Sequence, residues 1–209
     1  MKRLFLFGVL LLFFANNTFS QVLKVDAGVS FSAMESNASN ILTDPYRDFN
    51  INLGLNYITH KYFHLSSQIG YLTRGGSNDM SIDNSGTNNI KLVSRISCIH
   101  INTTIRVKYS FKKLTPYIGI GPKIDFPIES KYSPNIEFSD TDVYNLSLMQ
   151  IKNYLPGIKY EAGIEYNHES FSYGLNVFIL RDFESINKLK NYPLKNQISA
   201  INFSVGYAF

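Results

Sequence analysis

The chain has 209 residues, a length that fits one domain. Only 17% of its residues are charged and 44% are hydrophobic, against roughly 25% charged in an ordinary soluble domain. The formal charge of +4 comes from scattered Lys and Arg, which gives no basis for a nucleic-acid partner, and the lone Cys98 excludes an intrachain disulfide or a cysteine-based zinc site. Tyr (14) and Phe (16) are abundant while Trp is absent, a bias toward rings that suit a boundary between apolar and wet surroundings.

The N-terminus reads as an export signal. Met1-Lys2-Arg3 is a short basic start, Leu4 to Ala15 is an uninterrupted apolar run, and Thr18-Phe19-Ser20 offers small residues for cleavage before Gln21. That run is too short to cross a bilayer as a helix, which takes about 20 residues. No cysteine follows it to carry a lipid anchor. Residues 1–20 are therefore expected to be a cleaved signal peptide and residues 21–209 the mature domain. No later stretch is long and apolar enough for a membrane helix, so export ends in a soluble compartment or in a membrane entered as a barrel.

From there the chain alternates with a period of two, the signature of half-buried strands. In the first strand Leu23, Val25, Ala27, Val29 and Phe31 alternate with Lys24, Asp26, Gly28 and Ser30. The second sets Phe49, Ile51, Leu53, Leu55 and Tyr57 against Asn50, Asn52, Gly54 and Asn56. The third (Phe63, Leu65, Ile69, Tyr71) is interrupted by Ser67. The fourth carries Ile99, Ile101, Ile105, Val107 and Tyr109, the fifth Ile118, Ile120, Ile124 and Phe126. Ile158, Tyr160, Ala162, Ile164 and Tyr166 mark the sixth, and Phe171, Tyr173, Leu175, Val177 and Ile179 the seventh. Ile201, Phe203, Val205, Tyr207 and Phe209 close the chain.

Connections alternate in length between these eight strands. Long ones fall near 34–48, 74–93, 129–155 and 183–197, and short ones near Thr59–Lys61, Lys112–Leu114 and Asn167–Ser170. Such alternation predicts an all-β fold, an eight-stranded antiparallel transmembrane β-barrel in up-and-down meander order, with short turns and both termini periplasmic and long loops outside. Aromatic residues then collect at two rims. Tyr57, Phe63, Tyr109, Phe111, Tyr117, Tyr166, Phe171, Tyr207 and Phe209 are expected at the lower one, and Phe31, Phe49, Tyr71 and Phe126 at the upper. One phase conflict stands out, since Ile90, Leu92 and Ile96 occupy even positions while Ile99 onward occupy odd ones. Either a β-bulge near Ser97-Cys98 resets the phase, or the segment is a strand extension above the membrane.

Charges lie on the polar face. Lys24, Arg106, Lys108, Lys123 and Lys159 stand against Asp26, Asp125, Glu161 and Glu165. An eight-stranded barrel has room inside only for its own side chains, so these groups are expected to pair across the lumen rather than line a pore. A soluble lipocalin-like barrel holding a small apolar ligand would bury its apolar face instead. A polar face with nine ionisable groups, Gly and Asn fits a tight lumen better.

The stretch from Cys98 to Phe126, CIHINTTIRVKYSFKKLTPYIGIGPKIDF, resembles the central hairpin of small outer-membrane β-barrel families common in Bacteroidetes, including porin-like proteins related to PorT. The resemblance rests on Lys108-Tyr109, a short turn, Pro116-Tyr117-Ile118 and Gly121-Pro122. Asn102-Thr103-Thr104 departs from the proline often found in the first of these strands. The ending Phe203, Val205, Tyr207, Phe209 resembles the C-terminal signal read by the barrel-assembly machinery. The resemblance implies an outer-membrane location, contact with outer-membrane lipid and passage through that machinery, and it implies little about role.

No catalytic residue, cofactor or metal site is expected. His168-Glu169-Ser170 falls in a short turn without a third partner, and His60 and His64 bracket a turn rather than share a helix face. Asp79, Asp83, Asp140 and Asp142 are oxygen donors without the spacing of a calcium loop. Gly119-Ile120-Gly121 lacks the strand-to-helix setting of a phosphate loop. The long loop at 129–155 carries Tyr132, Ile136, Phe138, Tyr144, Leu146, Leu148 and Met149, which either fold over the barrel mouth or meet a protein partner. The sequence therefore reads as a non-enzymatic outer-membrane barrel, structural or binding a partner through its extracellular loops. A narrow pore and a lipid-modifying enzyme are the lesser alternatives.

Overall fold

A computed structural model describes residues 21–36, 44–81, 89–133, 150–188 and 193–209. Eight strands follow one another: β1 (Val22–Ser36), β2 (Tyr46–Tyr57), β3 (Phe63–Ser81), β4 (Asn89–Lys108), β5 (Leu114–Ser133), β6 (Leu155–His168), β7 (Phe171–Asp182) and β8 (Leu194–Ala208). Each pairs antiparallel with its chain neighbours, and β1 pairs with β8 from Val22↔Ala208 to Ser36↔Leu194, closing the barrel. Closure leaves no strand edge unpaired in the barrel wall, the condition for a sheet to stand in lipid, whereas β3 and β5 run on past their ladders with β2 and β6 at the loop end.

The strands run further into the long connections than alternation alone indicated, most of all β3, β4 and β5. Their ladder continues past Tyr71↔Ile99 to Ser81↔Asn89, and β5 follows as far as Ser133↔Val93. The short connections are tight. Phe111 and Leu114 exchange two backbone hydrogen bonds of 2.7 and 3.0 Å around Lys112-Lys113, and His168 pairs with Phe171 around Glu169-Ser170. Ile58, Lys112 and Glu169, one in each short turn, hold left-handed φ values of 50°, 55° and 53°.

The outer surface is apolar. Leu53, Ile69, Ile105, Ile118, Leu175, Val177, Ile201 and Phe203 are exposed around its circumference, while the positions between them are buried and polar. A barrel that dissolves in water and holds an apolar ligand has the reverse arrangement. Two outward hydroxyls interrupt the belt, and both are satisfied within it. Ser67 Oγ lies 2.9 Å from Tyr57 Oη and 2.8 Å from Thr103 Oγ1, which accounts for the break in alternation at Ser67.

Two expectations change. Tyr117 is not a rim aromatic, because β5 presents its odd positions inward and the ring is buried in the lumen. The phase conflict in β4 has a different origin. The β4–β5 register does shift at Ser97/Cys98, but Ile128 on β5 is the extra residue, and it is exposed. β4 keeps its phase, with Ser94, Ile96, Cys98, His100, Asn102, Thr104 and Arg106 all buried. Ile96 is apolar at an inward position because the lumen there is apolar. It packs in one cluster with Met34, Leu72, Cys98, Leu155, Phe178, Leu180, Ile186, Leu194 and Ile198, at the end of the barrel that carries the long loops.

Candidate functional site

Inward positions bring the ionisable residues together in two connected groups. Nearer the termini, Glu161 on β6 is the hub. It accepts hydrogen bonds from Arg106 Nε at 2.5 Å and Nη2 at 3.0 Å, and from Thr104 Oγ1 at 2.6 Å. Lys159 Nζ lies 3.0 Å from its other oxygen. Lys24 bridges Asp26 at 3.4 Å and Glu165 at 3.2 Å, and Asp26 in turn accepts from Gln68 Nε2 at 2.6 Å. The Tyr117 ring sits among these cations, 4.7 Å from the Arg106 guanidinium and 5.7 Å from Lys24 Nζ.

Asn102 and His100 link this group to the next. Asn102 Nδ2 lies 2.8 Å from His100 Nε2, and His100 Nδ1 lies 2.5 Å from Asp125 Oδ1. Asp125 also pairs with Arg74 and with Lys123, the latter at 2.8 Å. Arg74 crosses to Asp182 with contacts of 2.5 and 3.0 Å, and Lys123 reaches the same carboxylate. The two groups together hold five cations (Lys24, Arg74, Arg106, Lys123, Lys159) and five anions (Asp26, Asp125, Asp182, Glu161, Glu165), all with nearly buried side chains. That balance matters, because an unpaired buried ion costs several kcal/mol.

Of the residues singled out from the sequence, Lys24, Asp26, Arg106, Lys123, Asp125, Lys159, Glu161 and Glu165 stand in this network. Lys108 is half-buried at the rim and takes no part in its ion pairs. Arg74 and Asp182 were not anticipated, since both fell at the edges of supposed loops. Their even positions on β3 and β7 are nevertheless the inward parity of those strands, so extending each alternation by a few residues would have found them. The outward row Phe203, Val205, Tyr207, Phe209 is exposed on β8, and the Phe209 N–H donates to Gln21 O at 3.1 Å.

The histidines do not assemble. His64 is buried and tilted against Tyr117, His60 stacks on Phe63 at 5.1 Å, and His168 stacks on Tyr166 in the turn it shares with Glu169 and Ser170. Among the described residues no three His, Cys, Asp or Glu side chains are placed to hold a metal ion. Asp83, Asp140, Asp142, residues 1–20 and most of the 129–155 loop lie outside the described residues, and Asp79 is placed only by its position opposite Lys91 on β3.

Ion pairs span the lumen at two levels, and the apolar cluster closes the loop end above them. No protein-family model matches the chain, and no curated protein matches it. Solved structures do share its fold. Neisserial surface protein A aligns with a TM-score of 0.55 at 9% identity, covering 90% of this chain and 97% of its own. The outer membrane protein OprG of Pseudomonas aeruginosa aligns with a TM-score of 0.57 at 12% identity, covering 91% and 97%.

Proposed function

We propose that this chain is exported behind the cleaved segment 1–20 and resides as a non-enzymatic barrel in the outer membrane of a Gram-negative-type bacterium, where it presents its long loops to a partner. The observation that carries this reading is the inverted polarity of the wall, with exposed Leu53, Ile118, Leu175 and Phe203 outside and ten paired ions inside. Such a wall is stable only where hydrocarbon replaces water on its outer face. The likeness of Cys98–Phe126 to the PorT-related barrels of Bacteroidetes supports the same location.

The loop-presenting role rests on the unequal strand heights. β3 and β4 continue about 33 Å beyond the Tyr71↔Ile99 pair and β5 about 23 Å beyond Phe126 along the strands, at roughly 3.3 Å per residue, and their tips carry the connections at 82–88 and 134–149. A paired three-stranded sheet is a stiffer mount than a loop rising directly from the membrane. The closed lumen speaks against a pore.

Cell fractionation tests the location: the protein is expected in the membrane pellet after carbonate washing, with folded and boiled samples migrating differently on a denaturing gel. Recovery in the soluble periplasm would overturn the reading. An epitope inserted at residues 82–88 is expected to be reached by antibody on intact cells, and the folded barrel is expected to leave planar bilayers non-conducting.

A further inference from the structure

The outward face changes character at the loop end, and it does so unevenly around the barrel. Across β7, β8, β1 and β2 the outward residues toward the loop end include Arg181, Lys195, Gln197, Ser199, Phe31 and Arg47, while β1 itself continues to Ser36. The register places them side by side. Arg181 is opposite Gln197, Ile179 opposite Ser199, Ser199 opposite Phe31, and Phe31 opposite Arg47. Directly beneath lie the exposed Ile179, Ile201, Phe203 and Phe49. Arg181, Arg47 and Ser199 therefore sit one outward step above an apolar wall, with Gln197 and Lys195 two and three steps above it on β8, where hydrocarbon gives way to headgroups if the proposed membrane location holds.

Several acids near these cations are engaged elsewhere. Asp48 pairs with Arg95 at 3.0 Å, Asp182 turns into the lumen, and Glu184 accepts from Lys152, which holds its carboxyl below the usual range. The outward Lys131 on β5 has Glu129 at 2.9 Å. Arg47 lies 5.3 Å from the Phe31 ring, and neither it nor Arg181 nor Lys195 forms an ion pair with a described residue. Glu35 stands opposite Lys195 in the β1–β8 ladder, two strands from Arg181.

We infer that this sector of the wall is a binding surface for the phosphate groups of an anionic lipid in the outer leaflet. From Arg181 on β7 to Arg47 on β2 spans three strand intervals, about 14 Å at roughly 4.8 Å each, so the sector can engage phosphates at two points of one large headgroup. Guanidinium groups donate to phosphate in a fork, and Gln197 and Ser199 supply neutral donors between them. The acyl chains of the same lipid run down over Ile179, Ile201 and Phe203.

The inference rests on the membrane reading, and the test separates the two. The full mature barrel is folded into nanodiscs of zwitterionic phosphatidylcholine containing a minor share of a bisphosphorylated glucosamine-disaccharide lipid or its dephosphorylated counterpart. Lipid retained after release into mild detergent is counted by native mass spectrometry. Preferential retention of the bisphosphorylated form is expected. The combined Arg47→Gln, Arg181→Gln and Lys195→Gln variant is expected to lose it by about tenfold or more, the scale of one or two charge-assisted hydrogen bonds. The same number of changes at the opposite rim (Lys61→Gln, Lys112→Gln, Lys113→Gln) should leave retention unchanged, whereas Arg181→Lys with the other two cations intact should lower it by less than the triple variant does, since the charge stays and the fork is lost. Equal retention of the two lipids, or undiminished retention by the first variant, would overturn the inference. Failure of the unmodified barrel to enter pure phosphatidylcholine discs would overturn the membrane reading instead.

Discussion

Arg74 on β3 and Asp182 on β7 stand on opposite walls of the barrel and meet across its interior, guanidinium to carboxylate, at 2.5 and 3.0 Å. Asp125 and Lys123 complete a four-membered cluster around this contact, so its charge is balanced with one acid for each base.

Removing one member breaks that balance. Asp182→Leu leaves Arg74 and Lys123 sharing Asp125, and is expected to cost about 3–5 kcal/mol, the penalty for stranding a buried ion. Arg74→Met combined with Asp182→Leu leaves the Lys123–Asp125 pair intact, and should recover most of the loss. Urea unfolding of the barrel in lipid vesicles measures both. A double variant as unstable as the single one would show that the contact supplies more than charge balance.

The outward belt makes a second prediction. Leu53→Arg or Val177→Arg places a cation on the exposed apolar wall and should cost about 2–4 kcal/mol in bilayers. The same change at Asn52 or Asn176 meets a packed interior, and its cost should depend far less on bilayer thickness. Equal sensitivity to lipid length at both pairs of positions would contradict the assignment of faces.

Each short turn holds a residue other than glycine in left-handed backbone. Replacing Lys112 or Glu169 with Gly removes the steric cost of a Cβ there, and is expected to stabilise the barrel by about 1 kcal/mol. Ile58 is β-branched and more strained, so Ile58→Gly should gain at least as much. The shift of the urea midpoint reports it, and a loss of stability at all three would show that neighbouring contacts outweigh the backbone term.

Phe209 tests the C-terminal row. Its ring is exposed at the end of β8, so deleting it should lower intrinsic stability by a few kcal/mol at most. Surface levels in cells should fall much further than refolding yield in detergent, because an assembly machine that reads the last strand loses its terminal aromatic. Equal, small losses in both would reduce Phe209 to a packing residue.

The wall of this barrel was legible in the residue order because lipid and lumen impose opposite demands at every second position. Leu23 to Phe31 and Ile201 to Phe209 could not alternate as they do on any other element, and eight such runs with alternating short and long links leave little topological choice. Most of the charged lumen followed from the same parity. The tertiary structure decided what parity cannot express. Tyr117 belongs to the interior because its place on β5 puts it between Arg106 and Lys24, an arrangement of three strands. Ile96 is apolar yet inward because Leu72, Phe178, Leu180 and Ile198 arrive from other strands to close the lumen around it. Arg74 and Asp182 became partners only when the barrel closed and put β3 opposite β7. Alternation is a local property of one strand, whereas the identity of an inward neighbour depends on closure and register, which join residues more than a hundred positions apart.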